Sequence, residues 1–185
     1  MSNERVMVMG IGNPLMRDEG IGVRVIETMM STLAFPDNVE LVDAGTMGMG
    51  ILNLFQQCDY MLIVDAVDGT GEAPGTVVRF TPEDIAPNQV RHSMHDTRFI
   101  DVLQAAELMG HRPEADCIGV QIKEMDVVDI GLTPELEASV PAAVEAVLAV
   151  LAERGITAEP RADASVDARV LEAIRTYSTG PGREG

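Results

Sequence analysis

Apolar residues occur in two alternating kinds of pattern along this chain. Residues 5–10 and 60–67 are short, almost continuous apolar runs. Runs of this kind are typical of strands that are covered on both faces in a parallel sheet. Residues 39–43 and 117–122 are weaker runs of the same type. We therefore predict four strands that pair in parallel.

Helical spacing separates these runs. Ile21, Val25 and Met29 recur every four residues, and residues 100–106 show a similar apolar face. This spacing predicts amphipathic helices that pack on a sheet. Strands and helices that alternate along a chain form a three-layer sandwich with right-handed crossovers.

The last predicted helix has clear signals at both ends. It begins at Thr133 and Pro134, where a capping hydroxyl precedes a proline at the first helical position. The pattern AAVEAVLAVLAERG then continues to Gly155, where glycine ends the helix.

Residues 75–81, GTVVRFT, form a fifth strand pattern after the turn-rich linker DGTGEAPG. The linker is too short for a crossover helix, so we predict an antiparallel strand at the edge of the sheet. The fold class is therefore α/β: a three-layer sandwich with a mostly parallel five-stranded sheet and helices on both faces. We assign residues 1–160 to a single α/β domain and residues 161–185 to a polar tail, either a short helix or disordered.

The charge and apolar content of the chain exclude some classes of binding partner. The formal charge of −17 would repel nucleic acid and anionic membranes. No apolar stretch is long enough to span a bilayer, and the start MSNERVMVMG has no signal-peptide pattern. We therefore expect a cytoplasmic protein without membrane insertion. Cys58 and Cys117 lie in apolar stretches without C-x-x-C spacing, so we expect them to be buried and reduced.

The segment GIGNPLMRDEGIG, residues 10–22, first suggests a Rossmann-like nucleotide site, with Asp43 as the ribose-binding acid. However, Leu15 stands where the third glycine should be, and the carboxylates of Asp18 and Glu19 would repel a pyrophosphate. The loop therefore suits a cation better. We expect Asp18 to be the N-cap of the following helix, and the glycines to bring the backbone close to a metal and a substrate peptide.

Three polar residues are placed to meet at the carboxyl ends of the strands. They are Glu19 after the first strand, Asp65 inside LIVDAV, and His95 just before a predicted helix. Two carboxylates and one imidazole suit a divalent ion such as Ni²⁺ or Zn²⁺. Two plainer interpretations stay open: Asp65 only caps a neighbouring loop, or His95 is only a terminus residue before the predicted helix. His92 and His111 are alternative ligands.

Other catalytic signatures are absent from the sequence. It contains no H-E-x-x-H zinc motif, no G-x-S-x-G nucleophile elbow and no Walker loop. The carboxylate and histidine set is therefore the remaining candidate for chemistry.

Several short motifs together resemble the hydrogenase maturation endopeptidases. They are the G-x-G-N…D-E-G-x-G opening at residues 10–22, DAGTMG at 43–48, IVDAVD at 63–68, S-x-H at 93–95 and GLTPE at 131–135. The resemblance covers about residues 5–160. The family often has proline after the glutamine of the last strand, whereas this chain has Gln121 followed by Ile122, which leaves the shape of that loop open.

The resemblance implies an aspartic-type endopeptidase. It would remove the C-terminal extension of the nickel-iron hydrogenase large-subunit precursor after nickel insertion. It also implies that the metal-site positions are Glu19, Asp65 and His95, and that Asp43 is an acid with a structural or catalytic role. The partner would be the nickel-loaded precursor, and the metal would be nickel, supplied by the substrate, or another divalent ion.

Three ligands without a thiolate make a modest site, so our leading hypothesis is that substrate nickel completes it and acts as the recognition element. A permanently bound hydrolytic metal is the competing mechanism. A metal-sensing binding module or chaperone for the precursor is the alternative function, and a nucleotide-binding protein is the least favoured.

Overall fold

Strands and helices alternate as the pattern predicts in the computed structural model, which describes residues 4–82, 91–92, 99–124 and 127–178. No helix in these ranges has the length and apolar character needed to cross a bilayer. The elements are β1 (Val6–Ile11), α1 (Ile21–Thr32), β2 (Leu33–Ala34), β3 (Val39–Gly45), α2 (Leu52–Phe55), β4 (Tyr60–Asp68), β5 (Val77–Phe80), β6 (Arg91–His92), α3 (Phe99–Leu108), β7 (Glu114–Gln121), α4 (Pro134–Glu153), β8 (Glu159–Pro160) and α5 (Ala168–Ser178).

The main sheet has the strand order β3-β1-β4-β7-β5. The first four of these strands are parallel, and β5 runs antiparallel to β7 at the edge. The predicted fold class is thus confirmed. The two-residue strand β6 also joins the sheet by pairing antiparallel with the end of β4. It was not predicted, because two residues carry no periodic pattern.

The two faces of the sheet are covered by different helices. Val6 and Val8 of β1 belong to the core cluster that includes residues of α1, α4 and α5. Met7 and Met9 belong to the opposite cluster, which includes residues of α2 and α3. Side chains alternate between faces along a strand, so continuous apolar runs are what a sheet buried on both sides requires.

Helix α4 begins at Pro134 and ends at Glu153, close to the predicted bounds. Gly155 follows with φ of +74°, the left-handed conformation that commonly ends a helix. The predicted capping bond from the Thr133 hydroxyl is wrong, because no side chain caps this helix. That hydroxyl instead donates to Asp18 Oδ2 at 3.1 Å.

The residues after Pro160 include α5, which packs on the sandwich. Val170, Ala173 and Ile174 of α5 are buried in the same core cluster as α1 and α4. The division into a domain of residues 1–160 and a tail of residues 161–185 stays a prediction.

Candidate metal-binding site

Glu19 lies on a short 3-10 turn, Arg17–Gly20, between β1 and α1. Its side chain is in the interior, since the residue is only 1% exposed. The turn is held against the end of β1 by Gly12, whose φ is +137°. A Cβ at Gly12 would collide with the carbonyl oxygen of Glu19. Glycine is therefore required here so that the turn can fold back and place Glu19 at the carboxyl end of the sheet.

The other glycines of this loop also pack against the chain's own backbone. A Cβ at Gly10 would meet the carbonyl oxygen of Gly22, and a Cβ at Gly22 would meet the carbonyl oxygens of Ile11 and Val64. The expectation that these glycines bring the backbone close to a metal and a substrate peptide stays a prediction. They let α1 lie directly on β1 and β4, the close packing that the missing third glycine, at Leu15, does not supply.

Asp65 lies on β4, next to the point where β1 ends. Its neighbour Val64 pairs with Gly10, the last residue of β1 in register with β4. Side chains alternate along a strand, so Asp65 projects to the same face as Ile63, which is the face covered by α2 and α3. Asp65 Oδ1 accepts a hydrogen bond of 2.8 Å from the backbone N–H of Ala66.

The electrostatics of Asp65 show that Glu19 is near. The pKa of Asp65 is raised to about 7: burial is the largest cause, the hydrogen bond from the Ala66 N–H opposes it, and the negative charge of Glu19 adds to the rise. The structure therefore brings Glu19 and Asp65 together, although they are far apart in sequence.

The three histidines have different outcomes. His95 lies outside the described residues, so its role as a ligand stays a prediction. His92 is described through its backbone, which pairs with Val67 near the carboxyl end of β4. His111 lies at the opposite end of the sheet, where its Nε2 is 2.9 Å from the carbonyl oxygen of Cys58. His111 is therefore not part of this site. Within the described ranges, no group of three or more metal-ligating side chains is assembled.

Asp18 is fully buried and binds three backbone amides and a hydroxyl. Its Oδ1 accepts from Thr133 N at 2.8 Å, and its Oδ2 accepts from the Thr133 hydroxyl at 3.1 Å. Lys123 N and Glu124 N also donate to Oδ2, at 3.3 and 3.2 Å. The prediction that Asp18 caps the helix is wrong, because Gly20 is the N-cap of α1. Asp18 instead fastens the Glu19 turn to the loop after β7 and to the start of α4.

Arg17 makes a second connection to that loop. Its backbone N–H donates to the carbonyl oxygen of Asp129 at 2.9 Å. Its guanidinium lies 3.2 Å from a carboxylate oxygen of Glu124 and 3.4 Å from one of Asp129. The φ of Arg17 is +48°, a left-handed conformation that is unfavourable for arginine. Sequence reasoning did not find these links, because no local pattern pairs residues more than 100 positions apart.

Asp43 lies at the end of β3 with an exposed side chain. Its Oδ1 accepts a hydrogen bond of 3.0 Å from Gly45 N, and Gly45 has φ of +46°. The side chain therefore shapes the turn after β3. A catalytic role for Asp43 stays a prediction.

Gln121 ends β7 and holds the neighbouring turn. Its Oε1 accepts from Thr70 N at 3.1 Å, and its Nε2 donates to Asp68 Oδ1 at 3.2 Å. The next residue, Ile122, donates its N–H to the carbonyl oxygen of Val67 at 2.9 Å. Proline has no N–H to make this bond, so isoleucine extends the pairing of β7 with β4 by one hydrogen bond.

The cysteines take no part in this arrangement. Cys58 and Cys117 are buried and form no disulfide, as predicted. Burial raises the pKa of the Cys58 thiol to about 11. A protonated, buried thiol is a poor nucleophile.

Comparisons of the sequence and of the fold with known proteins find similar proteins of one family. A family model described as hydrogenase maturation protease, HycI, matches residues 23–150. The chain is 38% identical to the hydrogenase 2 maturation protease of Escherichia coli over 160 residues, covering 85% of this chain and 96% of that protein. It is 40% identical to the hydrogenase expression/formation protein HupM of Azotobacter chroococcum over 164 residues, covering 86% of this chain and 78% of that protein.

Solved structures agree with the sequence comparison. The hydrogenase maturating endopeptidase HybD from Escherichia coli superposes with a TM-score of 0.75 at 38% identity, over 86% of this chain and 99% of that one. The nickel-iron hydrogenase maturation protease HybD from Thermococcus kodakarensis gives a TM-score of 0.66 at 27% identity, over 79% and 98% of the two chains.

Proposed function

This chain belongs to the hydrogenase maturation protease family, and on that premise we propose that it is an endopeptidase that processes a nickel-iron hydrogenase large subunit. Its substrate is the nickel-loaded precursor, from which it removes the C-terminal extension. The family resemblance predicted from the motifs is confirmed by these relatives. The substrate, the role of nickel and the cytoplasmic location are proposals.

The juxtaposition of Glu19 and Asp65 is the observation that carries the proposal. Glu19 is buried, and its charge acts on Asp65 at the end of the neighbouring strand. Ligands of open α/β sheets bind at this end of the strands. Burial and the like charge of Glu19 make the ionised form of Asp65 costly, and a cation bound to both carboxylates offsets that cost. Their oxygens and a histidine nitrogen fit a divalent ion such as Ni²⁺.

His95 is the third ligand in this proposal. It is separated by three positions from His92, whose backbone pairs with the end of the Asp65 strand. That pairing supports His95 over His111, which lies at the other end of the sheet.

Nickel enters as part of the substrate. Glu19, Asp65 and His95 supply only part of a coordination shell, and the precursor contributes the other ligands. Only a precursor that carries nickel then binds productively, so the metal is the recognition element. Nickel held in this way supplies Lewis-acid polarisation of the scissile carbonyl or activation of a water molecule. Within the chain, the Gly12 contact and the Asp18 hydrogen bonds fix the turn that carries Glu19.

The test is to incubate metal-stripped protein with nickel-loaded and nickel-free precursor and to weigh the released peptide by mass spectrometry. We expect release from the nickel-loaded precursor alone. Equal release from both would rule out nickel recognition. Cleavage of the nickel-free precursor only by metal-loaded protein would favour a resident hydrolytic metal. Binding of the loaded precursor without any release would identify a metal-sensing chaperone instead.

A further inference from the structure

Exposed apolar side chains are concentrated at one end of the sheet. Within the part of the chain that is described, eight large hydrophobic residues are well exposed, and five of them lie in loops that follow the carboxyl ends of strands. Val128 and Ile130 are the most exposed of the five, at 81% each. We call these five residues the apolar rim: Leu15 after β1, Met47 and Met49 after β3, and Val128 and Ile130 after β7.

The part of the rim nearest in sequence to Glu19 is built on paired backbone. Met16 and Asp129 form an isolated parallel bridge, and Asp129 N donates to the carbonyl oxygen of Leu15 at 3.2 Å. Leu15 precedes the bridge residue Met16, and Val128 and Ile130 flank Asp129, so these three exposed side chains lie beside the bridge. The Arg17 ion pairs with Glu124 and Asp129 hold the two segments together. This part of the rim is therefore carried by two segments that are paired with each other.

We propose that the apolar rim is the docking surface for apolar segments of the precursor that flank its nickel centre. This inference rests on the proposed function and extends it from the metal ligands to the protein surface around them. A cationic centre meets Glu19 and Asp65, while apolar contacts at the same end of the sheet exclude water from those charge interactions. Met47 and Met49 suit this role because thioether side chains adapt to irregular apolar surfaces.

A second copy of this chain is a poorer occupant. The formal charge of the chain is −17, so two copies brought together would repel each other. The precursor brings a cation to the same place, and this charge complementarity favours it.

The test compares two double variants of the full chain. V128S/I130S removes apolar surface from the rim, whereas L108S/M109S removes exposed apolar surface at the C-terminal end of α3, at the opposite end of the sheet. Affinity for nickel-loaded precursor is measured by calorimetry, and cleavage is measured as KM and kcat. We expect V128S/I130S to bind about tenfold more weakly, with a matching rise in KM and little change in kcat. L108S/M109S should behave like the unsubstituted protein.

The outcomes separate the two proposals. Unchanged affinity and KM in V128S/I130S overturn the docking surface while cleavage by the unsubstituted protein upholds the function. Binding without cleavage overturns the function, and the affinities of the variants still decide the docking surface. No binding by the unsubstituted protein overturns both. Sedimentation that shows dimers of the unsubstituted protein and monomers of V128S/I130S would assign the rim to self-association and overturn the docking of precursor.

Discussion

Carboxylates at the two ends of the sheet have opposite kinds of neighbour: arginines at the amino end and another acid at the carboxyl end. At the amino end, Asp59 pairs with Arg5 at 2.9 Å and Asp116 pairs with Arg79 at 2.9 Å. At the carboxyl end, the negative charge of Glu19 acts on Asp65 as a like charge. The pKa of Asp59 is lowered to about 2 by its hydrogen bonds with Arg5, whereas burial and Glu19 raise the pKa of Asp65 to about 7. Acids paired with arginine have their charge compensated within the chain, and acids placed beside other acids are suited to bind a cation.

Arg154 is a further example of charge compensation at the amino end of the sheet. Its guanidinium lies 3.3 Å from the centre of the Tyr60 ring and 2.7 Å from carboxylate oxygens of Glu4 and Glu114. Planar guanidinium groups can stack on a ring and bind carboxylates at the same time. At this end of the sheet, Arg154 therefore has its charge compensated by side chains of the same chain.

The largest expected effect is on peptide release, when acids at the two ends of the sheet are substituted. Glu19→Gln or Asp65→Asn should reduce peptide release from nickel-loaded precursor to the level seen without protein, because each removes a charged oxygen ligand. Asp59→Asn, at the amino end, should leave release unchanged. Mass spectrometry of the released peptide and thermal melting of each variant are the measurements. Full activity of Glu19→Gln would remove it from the site.

Histidine variants sharpen the comparison. His95→Ala should also abolish release, because the imidazole supplies the nitrogen ligand. His111→Ala should retain it, because His111 contacts the Cys58 carbonyl at the amino end. His92→Ala tests the alternative ligand. Loss of release in His92→Ala but not in His95→Ala would identify His92, and not His95, as the nitrogen ligand.

Asp18→Asn should give a smaller, mainly structural effect. The amide cannot accept all the hydrogen bonds that the carboxylate accepts from Thr133, Lys123 and Glu124. Leaving buried donors unsatisfied costs about 1–3 kcal/mol, which urea unfolding would measure. Thr133→Val should cost about 1 kcal/mol, since only the hydroxyl bond is lost, and Thr133→Ser should restore it. Equal stability of Asp18→Asn and the parent would contradict this account.

The smallest expected effect is a difference in pH dependence. In metal-free protein, the Asp65 carboxyl carbon should titrate near pH 7 by NMR, and the Asp59 carbon near pH 2. An acid whose folded pKa is raised binds more protons in the folded state, so its contribution lowers stability as pH rises from about 4 to 7. An acid whose folded pKa is lowered contributes stability above about pH 4 that is lost as pH falls toward 2.

Variants at the two positions isolate these contributions. Asp65→Asn should flatten the loss of stability between about pH 4 and 7, and Asp59→Asn should flatten the loss below about pH 4. Urea unfolding across this pH range is the measurement. The same titration midpoint for both carboxyl carbons would contradict the contrast between the two ends of the sheet.

Much of the fold was predictable because its signals are local. The apolar runs identified β1, β3, β4 and β7, and the short DGTGEAPG linker predicted an antiparallel edge strand, which is β5. The Thr133–Pro134 pair placed the start of α4 correctly. The same pair predicted a capping hydrogen bond that does not form, because the Thr133 hydroxyl donates to Asp18, which is distant in sequence, and not to its own helix.

Sequence by itself determined the order of elements, the family and the residue types available for chemistry, since periodicity and motif spacing depend on near neighbours along the chain. Only the tertiary structure decided that the charge of Glu19 acts on Asp65, that Asp18 binds the segments around Thr133 and Lys123, and that exposed apolar residues lie at the same end of the sheet. These features arise when strands distant in sequence become neighbours, because burial and charge then act through space rather than along the chain.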